Sequence, residues 1–394
     1  MAATLWKAAV NSRLIKMFLN YGYMDEKLLD PEQVLALYKI AGMEKSGCLS
    51  NIYYADGWLS KIYDLEKEPS INQFELDYGD IFRDLKKRGK VDEKDKVAYD
   101  NDKEGKLAFE TENMFRTNHK LCQGQITIYF PILHRDMAPV NPLRSAVTPE
   151  IIREKLGRIL EIDYSAFHRE IYYMNSKKNI EKELVMMQVM SDIILMPVYG
   201  SRAIMWQEIT GRVRSSPGRL LLPVFTDDNL DDMLIRLVGN FRWELCRTMM
   251  GVAWNDVTQP SLTSEYTDYI QFYRKNRDLS DDAKDKIKSQ CSKYHGKMRD
   301  IFTSDYELWI NNESKGSARL NKVARSILFK YCPFSRGIRG QLEKSPLFVD
   351  MVTMMKKHRS KLARELENHY RIYCKNNDTL DAVLENNLRF YRDM

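Results

Sequence analysis

Proline and glycine are scarce in this chain, with 12 and 18 respectively in 394 residues. That scarcity disfavours an architecture of many short strands and tight turns, and favours long uninterrupted helices. Cysteine is sparse and scattered. Cys48, Cys122, Cys246, Cys291, Cys332 and Cys374 lie dozens of residues apart, with no C-x-x-C pair and no Cys/His cluster at metal-ligand spacing. A chain this long builds its core without staples, so free thiols in a reducing compartment are expected.

Long apolar runs are also lacking. Lys7, Arg13 and Lys16 interrupt the N-terminal stretch, which excludes a secretory h-region there. The most apolar window, residues 184–196, is 13 residues long and contains Gln188, Ser191 and Asp192. It is too short and too polar to cross a bilayer. The expectation is a soluble, cytoplasmic protein with no membrane span.

The common catalytic signatures are absent too: no H-E-x-x-H, no G-x-x-x-x-G-K-[ST] and no G-x-S-x-G occurs. The six histidines form no local ligand pair, so no metal is expected and the sequence names no cofactor. One stretch, His134-Arg-Asp-Met-Ala-Pro-Val-Asn141, resembles the H-R-D-x-x-x-x-N catalytic loop of protein kinases. In that family the Asp positions the substrate hydroxyl and the Asn holds magnesium. The resemblance covers eight residues. No D-F-G, G-x-G-x-x-G or V-A-I-K accompanies it, so nothing would neutralise a transferring phosphoryl group, and the chain is not read as a kinase.

What is present is ordinary globular material: 44% hydrophobic and 29% charged residues, with 20 Met and 22 Tyr. The expected fold class is mainly α, a multi-helix globular protein with a minor β element near residues 124–133. Four segments are expected: an N-terminal helical segment (1–65), a charged linker or insertion (66–118), a short mixed β/loop segment (119–149), and a helical domain with a basic C-terminal part (150–394). Thr148 reads as an N-cap with Pro149 at the first helical position, and Ser280 followed by two acids reads as another helix start. Apolar spacing predicts helices over residues 228–250, 319–331 and 347–375, and a last one from about 379. Residues 183–196, apolar nearly all round, are read as a central buried helix with one polar stripe of Gln188, Ser191 and Asp192.

Two groups of site residues stand out. Residues 208–219 combine three arginines with glycines and serines, a composition able to wrap an anion. On helix 228–250, Arg236, Asn240, Trp243 and Arg247 face away from the apolar stripe and need a second surface, internal or foreign, to cover them. Asp192, Glu208, Arg212, Arg219, Arg236, Asn240, Trp243 and Arg247 together make a candidate ligand site.

The second group is a charge block. Residues 315–375 hold 15 Lys and Arg against four acids, a balance of +11, while the whole chain carries only +6. Arg319, Lys322, Lys356, Lys357, Arg359 and Lys361 are the candidate anion-binding surface, with Arg319 and Lys322 on the outer face of helix 319–331. The leading expectation is a non-catalytic interaction or regulatory protein that binds an anionic partner, such as nucleic acid or an acidic protein surface. The alternatives are an enzyme or sensor for a phosphorylated or carboxylated small molecule, using residues 188–247, and a subunit of a larger assembly. Oligomeric state is left open.

Overall fold

The computed structural model describes residues 51–54, 86–96, 147–189, 191–205, 219–374 and 379–393. Its strands are β1 (Ile52–Tyr54), β2 (His168–Asn175), β3 (Ile180–Gln188), β4 (Asp192–Tyr199), β5 (Ile204–Met205) and β6 (Arg219–Phe225). The first helices are α1 (Pro149–Ile162), α2 (Leu230–Met250), α3 (Leu262–Phe272), α4 (Asp281–Lys293) and α5 (Met298–Asn311). They are followed by α6 (Lys322–Tyr331), α7 (Arg336–Leu342), α8 (Val349–Cys374) and α9 (Ala382–Asp393). The fold is mainly α with a minor β component, as the composition implies. No helix among the described residues is long and apolar enough to cross a membrane. The chain divides into two compact units, Met1–Lys155 with Ser191–Met233, and Leu156–Met190 with Leu234–Met394.

The first unit holds a four-stranded sheet in the order β1-β4-β6-β5, with β1, β4 and β6 parallel and β5 antiparallel at the edge. Ile193, Ile194, Leu195, Leu220, Leu221 and Leu222 are fully buried, the continuous apolar run of parallel strands covered on both faces. Helix α1 starts where its sequence says it should: Pro149 occupies the first turn, and Thr148 Oγ1 accepts from the amide of Ile151 at 3.4 Å.

Residues 183–196 are not the single buried helix expected from their composition. They contribute to β3 and to β4, which belong to different units. A short apolar run has no period that separates a buried helix from a buried strand, and β-branched Val185, Ile193 and Ile194 favour the strand. The supposed polar stripe is the break between them: Gln188 ends β3, Ser191 lies in the connection and Asp192 opens β4. Strands also interrupt the helical run expected after residue 148, and β1 falls inside the expected helical segment 1–65. The strand expected at 124–133 and the kinase-like stretch lie outside the described residues.

In the second unit β2 and β3 form an antiparallel hairpin, with Asn179 in the left-handed region at φ 55° closing the turn. Helices α8 and α9 pack on it, and Ile180, Val185, Tyr370, Leu384 and Leu388 form the apolar contact. The rest of the core is aromatic. Trp243 meets Phe302 at 5.2 Å and Tyr266 edge-on at 6.0 Å, while Trp309 stacks on Phe334 at 3.9 Å. Helices α2 and α5 approach closely because position 239 is glycine; a Cβ there would stand 2.9 Å from the Tyr306 ring.

A buried polar network threads this core. Both terminal nitrogens of Arg242 donate to the Glu170 carboxylate, at 3.0 and 3.1 Å. Burial disfavours both charges, but each partner's field and hydrogen bonds reverse the effect: the Arg242 pKa is raised and that of Glu170 lowered. Asp163, also buried, accepts from the Ser165 amide and hydroxyl at 2.8 Å and from the Tyr306 hydroxyl at 2.6 Å. Burial nonetheless pushes its carboxyl pKa up.

Removing one partner of a buried ion pair strands the other charge, so Glu170→Ala should destabilise this unit by about 3–5 kcal/mol. Arg236→Ala breaks an exposed pair with Glu307 and should cost less than about 1 kcal/mol. Urea unfolding of the two variants side by side checks the contrast; equal losses would mean that the Arg242 pair is not the anchor.

Candidate anion-binding site

Helices α7 and α8 turn matching faces toward one another. Arg336, Arg339 and Gly340 of α7 and its C-cap Glu343 are spaced i, i+3, i+4 and i+7. On α8, Lys356, Arg359, Ser360, Ala363, Arg364 and Glu367 continue one stripe over three turns. With Tyr391 and Arg392 from the end of α9, these side chains line a cavity of about 620 Å³. Gly340 and Ala363 keep it open, and a Cβ at Gly340 would meet no atom within 4 Å.

Six cations and two carboxylates face this space. Both carboxylates are already engaged, Glu343 with Lys356 and Glu367 with Arg392 at 3.0 Å. Among the described residues no ion pair reaches Arg336, Arg339, Arg359 or Arg364. Two of these are deeply buried: Arg339 is 3% exposed and Arg359 8%. Arg339 Nε and Arg359 Nη1 are sealed from water without a hydrogen-bond partner. Arg359 lies over the rings of Phe390 and Tyr391, at 5.5 and 5.3 Å, which support its guanidinium without neutralising it. Burial, opposed by Tyr391 and reinforced by the charge of Arg339, brings the Arg359 pKa down to about 10. Burial likewise lowers that of Arg339, with Glu343 opposing and Arg336 adding to the effect.

The residues expected from sequence are distributed as follows. Lys356 and Arg359 line the cavity, while Lys357 and Lys361 line an adjoining groove on the outer side of α8 with Lys356, Ser360 and Arg364. Lys322 opens α6 and is exposed. Arg319 is not on the outer face of that helix; it precedes the N-cap Asn321, which accepts from the amides of Val323 and Ala324. Its backbone amide donates to buried Glu313, and its side chain borders another cavity, beside Asp282 and Asp305. Sequence reasoning did not single out Arg336, Arg339, Arg364 or Arg392. The available signal was the shared spacing of Arg336, Arg339 and Gly340 just after a proline-terminated helix.

Of the other group, Glu208 and Arg212 lie outside the described residues. Asp192 and Arg219 are brought together, opposite each other at the start of β4 and β6. Arg236 pairs with Glu307 at 2.7 Å, Asn240 accepts from Thr303 at 2.9 Å, and Arg247 pairs with Glu244 at 2.8 Å. Trp243, 2% exposed, is covered from within the chain by α3 and α5.

Two outcomes follow. Arg339 carries a buried charge that no ion pair reaches among the described residues, so Arg339→Met should raise the urea midpoint, by roughly 1 kcal/mol in stability. A loss would make it a structural residue. Asp305, held by Tyr266 at 2.7 Å and Gln290 at 2.8 Å, has its pKa raised by burial to about 6. Its folded-state pKa exceeds the unfolded one, so the native state binds the extra proton. Stability should therefore fall as pH rises from about 4 to about 6, by about 1.4 kcal/mol per pKa unit. Asp305→Asn should flatten that segment of the stability profile.

A family model described as a domain of unknown function (DUF8509) matches residues 251–391, a segment that contains α3 to α8 and every cavity residue but Arg392. No curated protein and no solved structure matches the chain.

Proposed function

We propose that this is a non-catalytic interaction or regulatory protein that engages an anionic partner through the basic faces of α7, α8 and α9. The observation that carries this reading is the pair Arg339 and Arg359. Each holds a charge away from water, and both carboxylates that line the cavity are paired with other cations. A buried cation without a counter-charge destabilises the fold, and an incoming anion supplies what the chain withholds. The lining supports binding rather than reaction. It offers hydroxyls from Ser360 and Tyr391 but no histidine or cysteine, and its two carboxylates are both ion-paired.

The lysines of the outer groove extend the positive field along α8, where they would steer an anion toward the site. Fluorescence anisotropy with labelled heparin tests the reading. Reversal of Lys356, Lys357, Arg359 and Lys361 to Glu should weaken binding by more than about tenfold, ~1.4 kcal/mol. Reversal of four exposed lysines elsewhere, Lys275, Lys286, Lys288 and Lys293, changes net charge equally and should have a much smaller effect. Equal losses from both would reduce the interaction to general charge attraction and overturn the proposal.

A further inference from the structure

The cavity and the outer groove make different demands on an anion. Lys357 and Lys361 stand on the exposed side of α8, within reach of any polyanion. Arg339 and Arg359 are more than nine-tenths buried, and only a group that enters the cavity can meet them. Nucleic acid carries one charge per phosphate along a thick, regular backbone, well suited to exposed lysines and less suited to the two buried guanidiniums beneath an exposed rim of Arg336, Lys356, Arg364 and Arg392. A phosphate monoester carries about −1.5 to −2 and presents three oxygens at the end of a narrow stem. Guanidinium groups bind such oxygens in bidentate fashion.

Charge and size narrow the class further. Six cations against two carboxylates leave an excess of four positive charges, which two phosphate monoesters match. The volume of about 620 Å³ falls in the range of small-molecule sites, roughly 300–1,000 Å³, and is far more than a lone inorganic phosphate fills. The cations converge from three helices, so more than one phosphoryl group can be gripped at once.

Resting on the anion-binding reading above, we infer that the cavity between α7, α8 and α9 binds a compact small molecule bearing two or more phosphate monoesters, with Arg339 and Arg359 as its innermost clamps.

Isothermal titration calorimetry on the full chain tests this with fructose 1,6-bisphosphate, inositol hexakisphosphate, glucose 6-phosphate and a DNA duplex as probes. The bis- and hexakisphosphate should bind, and the monophosphate at least about tenfold more weakly. Arg339→Gln/Arg359→Gln should reduce the affinity for the bound polyphosphate by about 100-fold, the loss of two charge-assisted clamps. Gly340→Trp, which keeps every charge but fills the cavity, should do the same. Lys357→Ala/Lys361→Ala should change it by less than about threefold. Circular dichroism melting of each variant separates lost binding from lost folding.

Tight binding of the duplex with no heat from the polyphosphates, sensitive to Lys357→Ala/Lys361→Ala, would overturn the small-molecule inference and leave the anionic-partner reading standing. Polyphosphate binding that survives both cavity variants would overturn the assignment to this cavity. Silence from all four probes together with loss of heparin binding would overturn both.

Discussion

The contact on which the second unit depends is the buried bidentate pair of Arg242 and Glu170. It ties the middle of α2 to the hairpin strand β2, and either charge left alone in the interior would cost about 3–5 kcal/mol. Its influence continues outward, because the field of Arg242 acts on Asp163 at the end of α1. Asp163 in turn fixes the hydroxyl of Tyr306, whose ring packs against Gly239 of α2. The backbone of Asp163 pairs with Phe334, and the amide of Ser335 donates to Ile162 at 2.8 Å. Ser335 is the N-cap of α7. The register of the helix that presents Arg336 and Arg339 is thus set by a polar network in the core.

The same unit solves the problem of a buried arginine in two opposite ways. Arg242 has Glu170, and Arg325 has fully buried Glu313, which also accepts from the amides of Arg319 and Leu320. Both arrangements are self-contained and stabilise the connections they bridge. At the cavity the available carboxylates pair with Lys356 and Arg392 instead; Arg359 lies over two aromatic rings, and Arg339 has the field of Glu343 but no ion pair among the described residues. The acid already on that face of α8, Glu367, pairs with Arg392 rather than with Arg359. Arg242 and Arg325 each have a carboxylate partner, whereas the two buried arginines that line the cavity have no ion pair among the described residues.

Helix starts were legible in the sequence because capping is local. Thr148, Ser280 and the spacing of α2, α6 and α8 depend on neighbours within a turn or two. The strands were not, because β3 and β4 look like one apolar segment until their partners, β2 and β6, are known. The charge block was legible as a sum, and its densest run, from Lys356 to Lys361, does sit on α8. Its division was hidden. Periodicity gives the angle of Arg359 around its helix, but whether that angle meets water or the rings of Phe390 and Tyr391 is decided by α9, more than twenty residues further on. Trp243 shows the same limit in reverse: its angle is off the apolar stripe of α2, yet α3 and α5 cover it completely.

The boundary of the matched family segment bears on how the site is built. Residues 251–391 begin just after α2 and contain nearly all of the cavity, but not Arg242, Glu170 or Asp163. They also leave out β3, whose Ile180 and Val185 give α8 and α9 a floor. Five of the six cations therefore lie within the matched segment, while the contacts that hold α7 and α9 against α8 come partly from residues before it. The proposed anion site draws on both parts. Six cations on three helices, only two of them ion-paired among the described residues, repel one another, and a frame anchored elsewhere keeps them facing one space.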